Sequence, residues 1–222
     1  MKQNQVAVEE YGNQTTVGDM AKTVAEQGIL ELSQLDPERT ALIVVDMVEG
    51  FLRQGALHSD RCARHIPALA QLASICSEAG IPVVGFRDAH QETDPELAVF
   101  PSHCLEDEVE SQIVPEIRPY VDVEIAKNSI NGALEAEFAS WRRKERFRDT
   151  FLITGVCTDL CVLQFALALK AQENHEGRIS RLIVPSSHCD TYDLPGHPGD
   201  LCHLWALYNM ACNGIETPLD IR

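Results

Sequence analysis

No stretch of this sequence approaches the roughly 18 consecutive apolar residues that a bilayer-spanning helix needs, although 45% of its residues are hydrophobic. The chain should therefore be soluble and independent of membranes. Basic residues are scarce. Lys and Arg number 18 against 34 Asp and Glu, a formal charge of −16. Nucleic acids and anionic membrane surfaces are held through clustered Lys and Arg, so this balance argues against both as partners. The one basic cluster, Arg142-Arg143-Lys144 with Arg146 and Arg148, reads as the solvated end of a helix. Residues 1–28 lack the apolar segment of a secretion signal, and the eight cysteines follow no small-domain disulfide pattern. Reduced thiols and a cytoplasmic location are the expectation. No internal repeat or low-complexity tract is present.

What is there suits one domain. Residues 1–37 read as an N-terminal extension, partly flexible, and 38–222 as a single α/β unit. The run 40–46 is almost continuously aliphatic, the mark of a parallel strand buried on both faces. Helical spacing over 63–79 ends at Gly80. Further strands are predicted at 81–86, 120–125, 150–154 and 181–185, and helices at 134–144, 159–174 and 203–213. A short edge is predicted at 215–216. Strands alternating with helices imply a three-layer, Rossmann-like sandwich: a mostly parallel sheet of about six strands, helices on both faces. Sites in such sheets assemble at the carboxyl ends of the strands.

Chemistry gathers at those ends. Cys161 follows the strand 150–154 in Thr154-Gly-Val-Cys-Thr-Asp-Leu-Cys161, near the start of a helix, where the positive end of the macrodipole favours a thiolate. The same setting also suits a buried structural cysteine. Asp46, Asp88 and Lys127 fall at the ends of three other strands. Asp46, Lys127 and Cys161 make a workable acyl-transfer set: a nucleophile, a base for its proton, and a cation to hold the base ionised. The backbone N–H groups of Cys157 and Cys161 are the natural donors to a developing oxyanion.

A second group, Asp88-Ala-His90, Glu96 and His103, places two imidazoles and two carboxylates within 16 positions. Such N/O donors suit zinc, with manganese or iron also compatible. An acidic surface loop with two incidental histidines has the same spacing.

Taken together, 41–46 with Phe51, Lys127, and the Gly155-x-x-Thr-Asp-x-Cys161 turn resemble the isochorismatase-like cysteine hydrolases. Asp88-x-His90, Glu96 and Phe100-Pro-x-His103-Cys104 resemble the metal-binding segment of the nicotinamidase/pyrazinamidase branch. The resemblance runs in order from about residue 38 to 216. It implies Cys161, and not Cys157, as nucleophile, Asp46 as base, Lys127 as third member, and Asp88, His90, Glu96 and His103 as metal ligands. It also implies a cis peptide before Cys157, and Phe51 and Phe100 flanking an aromatic amide whose ring nitrogen meets the metal. The implied activity is hydrolysis of nicotinamide to nicotinate and ammonia, in NAD salvage, by a homo-oligomer. One departure stands out: Ile130 occupies a place where part of that branch has Tyr. Alternatives are a metal-independent amidohydrolase of the same family and a non-catalytic isochorismatase-like binding domain. Isochorismatase proper needs no cysteine thioester, so Cys161 counts against it.

Overall fold

The computed structural model describes residues 14–222, so residues 1–13 of the predicted extension lie outside the described residues. Helix α1 (Gln14–Ala25) packs on the last helix and sends Val24 into the core. Strand β1 (Ile29–Leu30) pairs in parallel with β8 (Asp220–Ile221), joining the two ends of the described chain.

The aliphatic run becomes β2 (Thr40–Val45), in which all six residues are buried. It leads through short helices α2 (Glu49–Leu52) and α3 (Asp60–Ala63) into α4 (Ile66–Glu78), then β3 (Val83–Asp88). A long excursion precedes β4 (Val123–Lys127), followed by α5 (Ala136–Lys144) and β5 (Thr150–Val156). A π-helical turn at Thr158–Val162 opens α6 (Leu163–His175), after which come β6 (Arg181–Ile183), β7 (Cys189–Asp190) and α7 (Gly199–Cys212).

The main sheet runs β4-β3-β2-β5-β6, with β7 beside the end of β5, and every pairing is parallel. Strand side chains alternate between faces, which splits the core in two. Ala41, Ile43 and Val45 pack with Phe138, Phe165 and Leu207 of α5, α6 and α7. Leu42 and Val44 face the other way, onto Leu69, Leu72 and Cys76 of α4. The result is the expected three-layer α/β sandwich. Among the described residues no helix is long and apolar enough to cross a membrane.

Three local differences from expectation have clear causes. The strand predicted at 120–125 lies at Val123–Lys127 because Arg118–Tyr120, with its central proline, forms a 3-10 turn. Helix α7 begins at Gly199, four residues before the predicted start, where the Asp193 carboxylate accepts the Gly199 N–H at 3.0 Å. Arg142 is not solvated. It is 7% exposed, donates to Glu173 at 2.7 Å and lies over the Phe151 ring, so part of the basic cluster is internal structure.

Candidate active site

The strand order reverses direction at β2: β3 and β4 follow on one side, while β5 and β6 lie on the other. The crevice at such a switch point is where doubly wound sheets bind ligands. Register supplies the residues. Asp88 ends β3 directly opposite Lys127, which ends β4. Val45 pairs with Gly155, so Asp46 and the turn carrying Cys161 emerge side by side. Only glycine fits at 155. Its φ is +115°, and a Cβ would fall 2.0 Å from the Val45 carbonyl oxygen. Asp46 itself has φ +54°, in the left-handed region that Asp tolerates better than most residues. The Val156–Cys157 peptide bond is cis.

Lys127 is the hub, only 2% exposed. Its Nζ lies 2.6 Å from Asp88 Oδ1, 2.9 Å from Asp46 Oδ2 and 3.8 Å from Cys161 Sγ. The approach to Asp46 is an ion pair off the hydrogen-bonding direction, so neither buried Asp46 oxygen receives a directed bond from Lys127. The Cys161 thiol lies beside that carboxylate.

Burial sets the charges. It pushes the Asp46 carboxyl up to about 6, against the pull of Lys127 and with the help of Asp88. Burial also pushes the Cys161 thiol well up; Lys127 opposes this, but Asp46 and Asp88 add to it. The helix-end setting therefore does not yield a resting thiolate, and the thiol needs a base. Lys127 stays cationic because the negative charge around it outweighs the cost of its burial.

Behind Lys127 lie the other predicted donors. Asp88 Oδ2 is 3.0 Å from both His90 Nε2 and His103 Nε2, and all three residues are buried. The Nδ1 of His103 is 2.8 Å from the Pro101 carbonyl, so Nδ1 carries the proton and the Nε2 lone pair faces the carboxylate. One carboxylate oxygen and two imidazole Nε2 atoms gathered at one point fit a cation. Their spacing also fits, since neighbouring ligands around an octahedral ion with bonds of about 2.1 Å lie about 3 Å apart. Glu96 does not join this triad. It lines the same cavity, and its Oε2 accepts the Ile130 N–H at 3.0 Å.

These groups open into a cavity of about 530 Å³. Phe51 and Phe100 both line it, with ring centroids 5.6 and 6.3 Å from the His103 imidazole. Ile130 is on the wall, so the departure noted in the sequence makes that part of the lining apolar. Tyr192 and Leu194, in the loop after β7, also line it. Arg61 also lines the cavity, held by Asp190 at 2.8 Å and Asp200 at 2.6 Å. Sequence reasoning missed Arg61, whose partners lie more than 120 positions away. Tyr192 was within reach, because the loop after β7 leaves the same sheet rim.

A doubly wound sheet with Asp, Lys and Cys in contact at its switch point defines an α/β protein with the geometry of a cysteine hydrolase. A model of the isochorismatase domain family matches residues 40–197, well over half of the chain. The chain belongs to the isochorismatase family. It is similar to nicotinamidase 1 of Arabidopsis thaliana, 28% identical over 205 residues, 79% of this chain and 83% of that protein. It is also similar to the nicotinamidase of Acinetobacter baylyi, 27% identical over 218 residues, 85% of this chain and 96% of that one. The fold matches the pyrazinamidase of Pyrococcus horikoshii in complex with zinc, with a TM-score of 0.67 at 23% identity, over 81% of this chain and 98% of that one.

Proposed function

We propose that this protein is a nicotinamidase that hydrolyses nicotinamide to nicotinate and ammonia through a thioester on Cys161, serving NAD salvage in the cytoplasm. The observation that carries the reading is Lys127 in contact with Asp46, Asp88 and Cys161, the last two of which line one cavity together with Phe51 and Phe100. The curated nicotinamidases named above support it, and eight free thiols suit a reducing compartment.

The residues divide the work as follows. Asp46 takes the Cys161 proton as sulfur attacks the carboxamide carbon. The oxygen of the tetrahedral intermediate turns to the N–H groups of Cys157 and Cys161. As the intermediate collapses, Asp46 returns the proton to the leaving nitrogen and ammonia departs. Asp46 then takes a proton from water, the hydroxyl adds to the thioester, and nicotinate leaves as the thiol is restored. Lys127 keeps Asp46 from being neutralised by its burial and balances Asp88. Phe51 and Phe100 offer faces for a flat ring. Asp88, His90 and His103 would hold a divalent cation, zinc or a similar ion, which supplies a Lewis-acid contact for the pyridine nitrogen, with Glu96 close to the same position. The exposed apolar pair Leu201 and Trp205 on α7 supports assembly as a homo-oligomer.

Ammonia release from nicotinamide, pyrazinamide, benzamide and maleamate tests the proposal. Nicotinamide should lead the series. Preference for maleamate would point instead to a metal-independent amidohydrolase of the same family.

A further inference from the structure

A second group of donors stands outside the cavity lining but next to its residues Leu160 and Tyr192, on residues the catalytic scheme does not use. Asp159 lies in the turn before Cys161, His197 in the loop that carries Tyr192, and Cys202 on the first turns of α7. One donor atom from each lies within 4.8 Å of the others. The His197 Nε2 is 2.8 Å from Asp159 Oδ2, while Nδ1 is 3.1 Å from the Tyr192 carbonyl oxygen. A carbonyl only accepts, so Nδ1 carries the proton. In the neutral ring the Nε2 lone pair then faces a carboxylate oxygen, and either a second ring proton or a metal cation belongs between them. An imidazole whose other nitrogen donates to a backbone carbonyl is the usual posture of a histidine bound to metal. The Tyr192 ring stacks on His197 with centroids 3.8 Å apart and planes 16° from parallel, which fixes the imidazole's orientation.

The carboxylate supplies an independent sign. The Asp159 side chain is only 10% exposed, and its buried Oδ1 has no hydrogen-bond partner among the described residues. A buried carboxylate oxygen without a donor is costly, and a cation would satisfy it. A thiolate, an imidazole and a carboxylate are the donor set of a zinc site, with water as fourth ligand. His197 Nε2 and Asp159 Oδ2 need part by only about half an ångström to bond one zinc at about 2.0–2.2 Å each.

We propose that Asp159, His197 and Cys202 form a second divalent-cation site, for zinc, that ties the Cys161 turn to the Tyr192 loop and to α7. Binding replaces the Cys202 thiol proton, which passes to solvent, by a zinc–sulfur bond. The site would hold the mouth of the cavity in one shape, and it does not depend on which amide is cleaved.

Cobalt(II) as a spectroscopic stand-in for zinc separates the two sites, because the Asp88, His90 and His103 triad contains no sulfur. Metal-stripped full-length protein titrated with cobalt(II) should develop a near-ultraviolet sulfur-to-metal charge-transfer band and bind about two equivalents per chain. Cys202→Ser and His197→Ala should lose the band and one equivalent. Cys161→Ser should keep both, which excludes the nucleophile as the sulfur donor. The band, not the total, decides: its presence with a single equivalent would count against the first site and leave this one standing. A wild-type titration without the band overturns the proposal whatever the variants do. So does a band that survives Cys202→Ser.

Discussion

Asp46→Asn tests the electrostatics of the site most sharply. Asn matches Asp in shape, and Asp46 is fully buried, so the change removes a charge and a basic oxygen with little repacking. Lys127 keeps Asp88 at 2.6 Å, so its ammonium is not stranded and the fold should persist. Because burial keeps the Cys161 thiol protonated, the variant has no group to take that proton. General-base catalysis is worth about 10²–10⁴ in rate, which corresponds to about 3–5 kcal/mol of barrier. Ammonia release at pH 7.5 should therefore fall by at least about a hundredfold in kcat, while circular dichroism and thermal melting stay close to wild type. The pH profile adds a second reading. As the proposed base, Asp46 would work only when ionised, and burial pushes its carboxyl up to about 6, so wild-type kcat/KM should fall below pH 6. An ordinary carboxylate would postpone that fall to about pH 4. The variant's residual activity should lack this acid limb. A loss of less than about threefold in kcat, or an unchanged acid limb in the variant, would refute Asp46 as the base.

Three further outcomes follow from the same geometry. His103→Ala, or chelation of the wild type, should raise KM sharply, and added Zn²⁺ or Mn²⁺ should restore the chelated enzyme but not the variant; steady-state kinetics with metal analysis checks this. Benzamide has the shape of nicotinamide but no ring nitrogen, so nicotinamide should be favoured by at least about a hundredfold in kcat/KM, as measured by ammonia release. Glu173→Ala should cost about 3 kcal/mol in urea unfolding, because it strands the buried Arg142 guanidinium and removes the acceptor for Arg178 and Ser180.

The sheet was legible where strands are buried on both faces. Residues 40–45 and 150–156 are near-continuous apolar runs because α4 covers one side and α5, α6 and α7 the other. The edge strand β4 was less legible. Its exposed Glu124 meets Arg87 at 2.8 Å on β3, and its burial alternates irregularly, so its pattern blurs into the preceding turn. The ends of strands could be read as site positions because parallel register carries Asp46, Asp88 and Lys127 to one rim. The ionisation of Cys161 could not be read, since a helix start suggests a thiolate and only the packed structure reveals the burial that opposes it. Glu96 shares the spacing of the predicted metal-ligand group, and its carboxylate accepts from the Ile130 backbone. Asp159, His197 and Cys202 meet through a loop and a helix start, where no periodicity signals proximity.

The central claim is a thioester on Cys161. Wild-type protein mixed with excess nicotinamide, quenched in acid within the first turnovers, digested and analysed by mass spectrometry reports it directly. A nicotinoyl group on the peptide containing Cys161, assigned to that sulfur by fragmentation and absent from Cys161→Ala, is the predicted result. Acylation of Cys157 instead, or sustained ammonia release by Cys161→Ala, would contradict it.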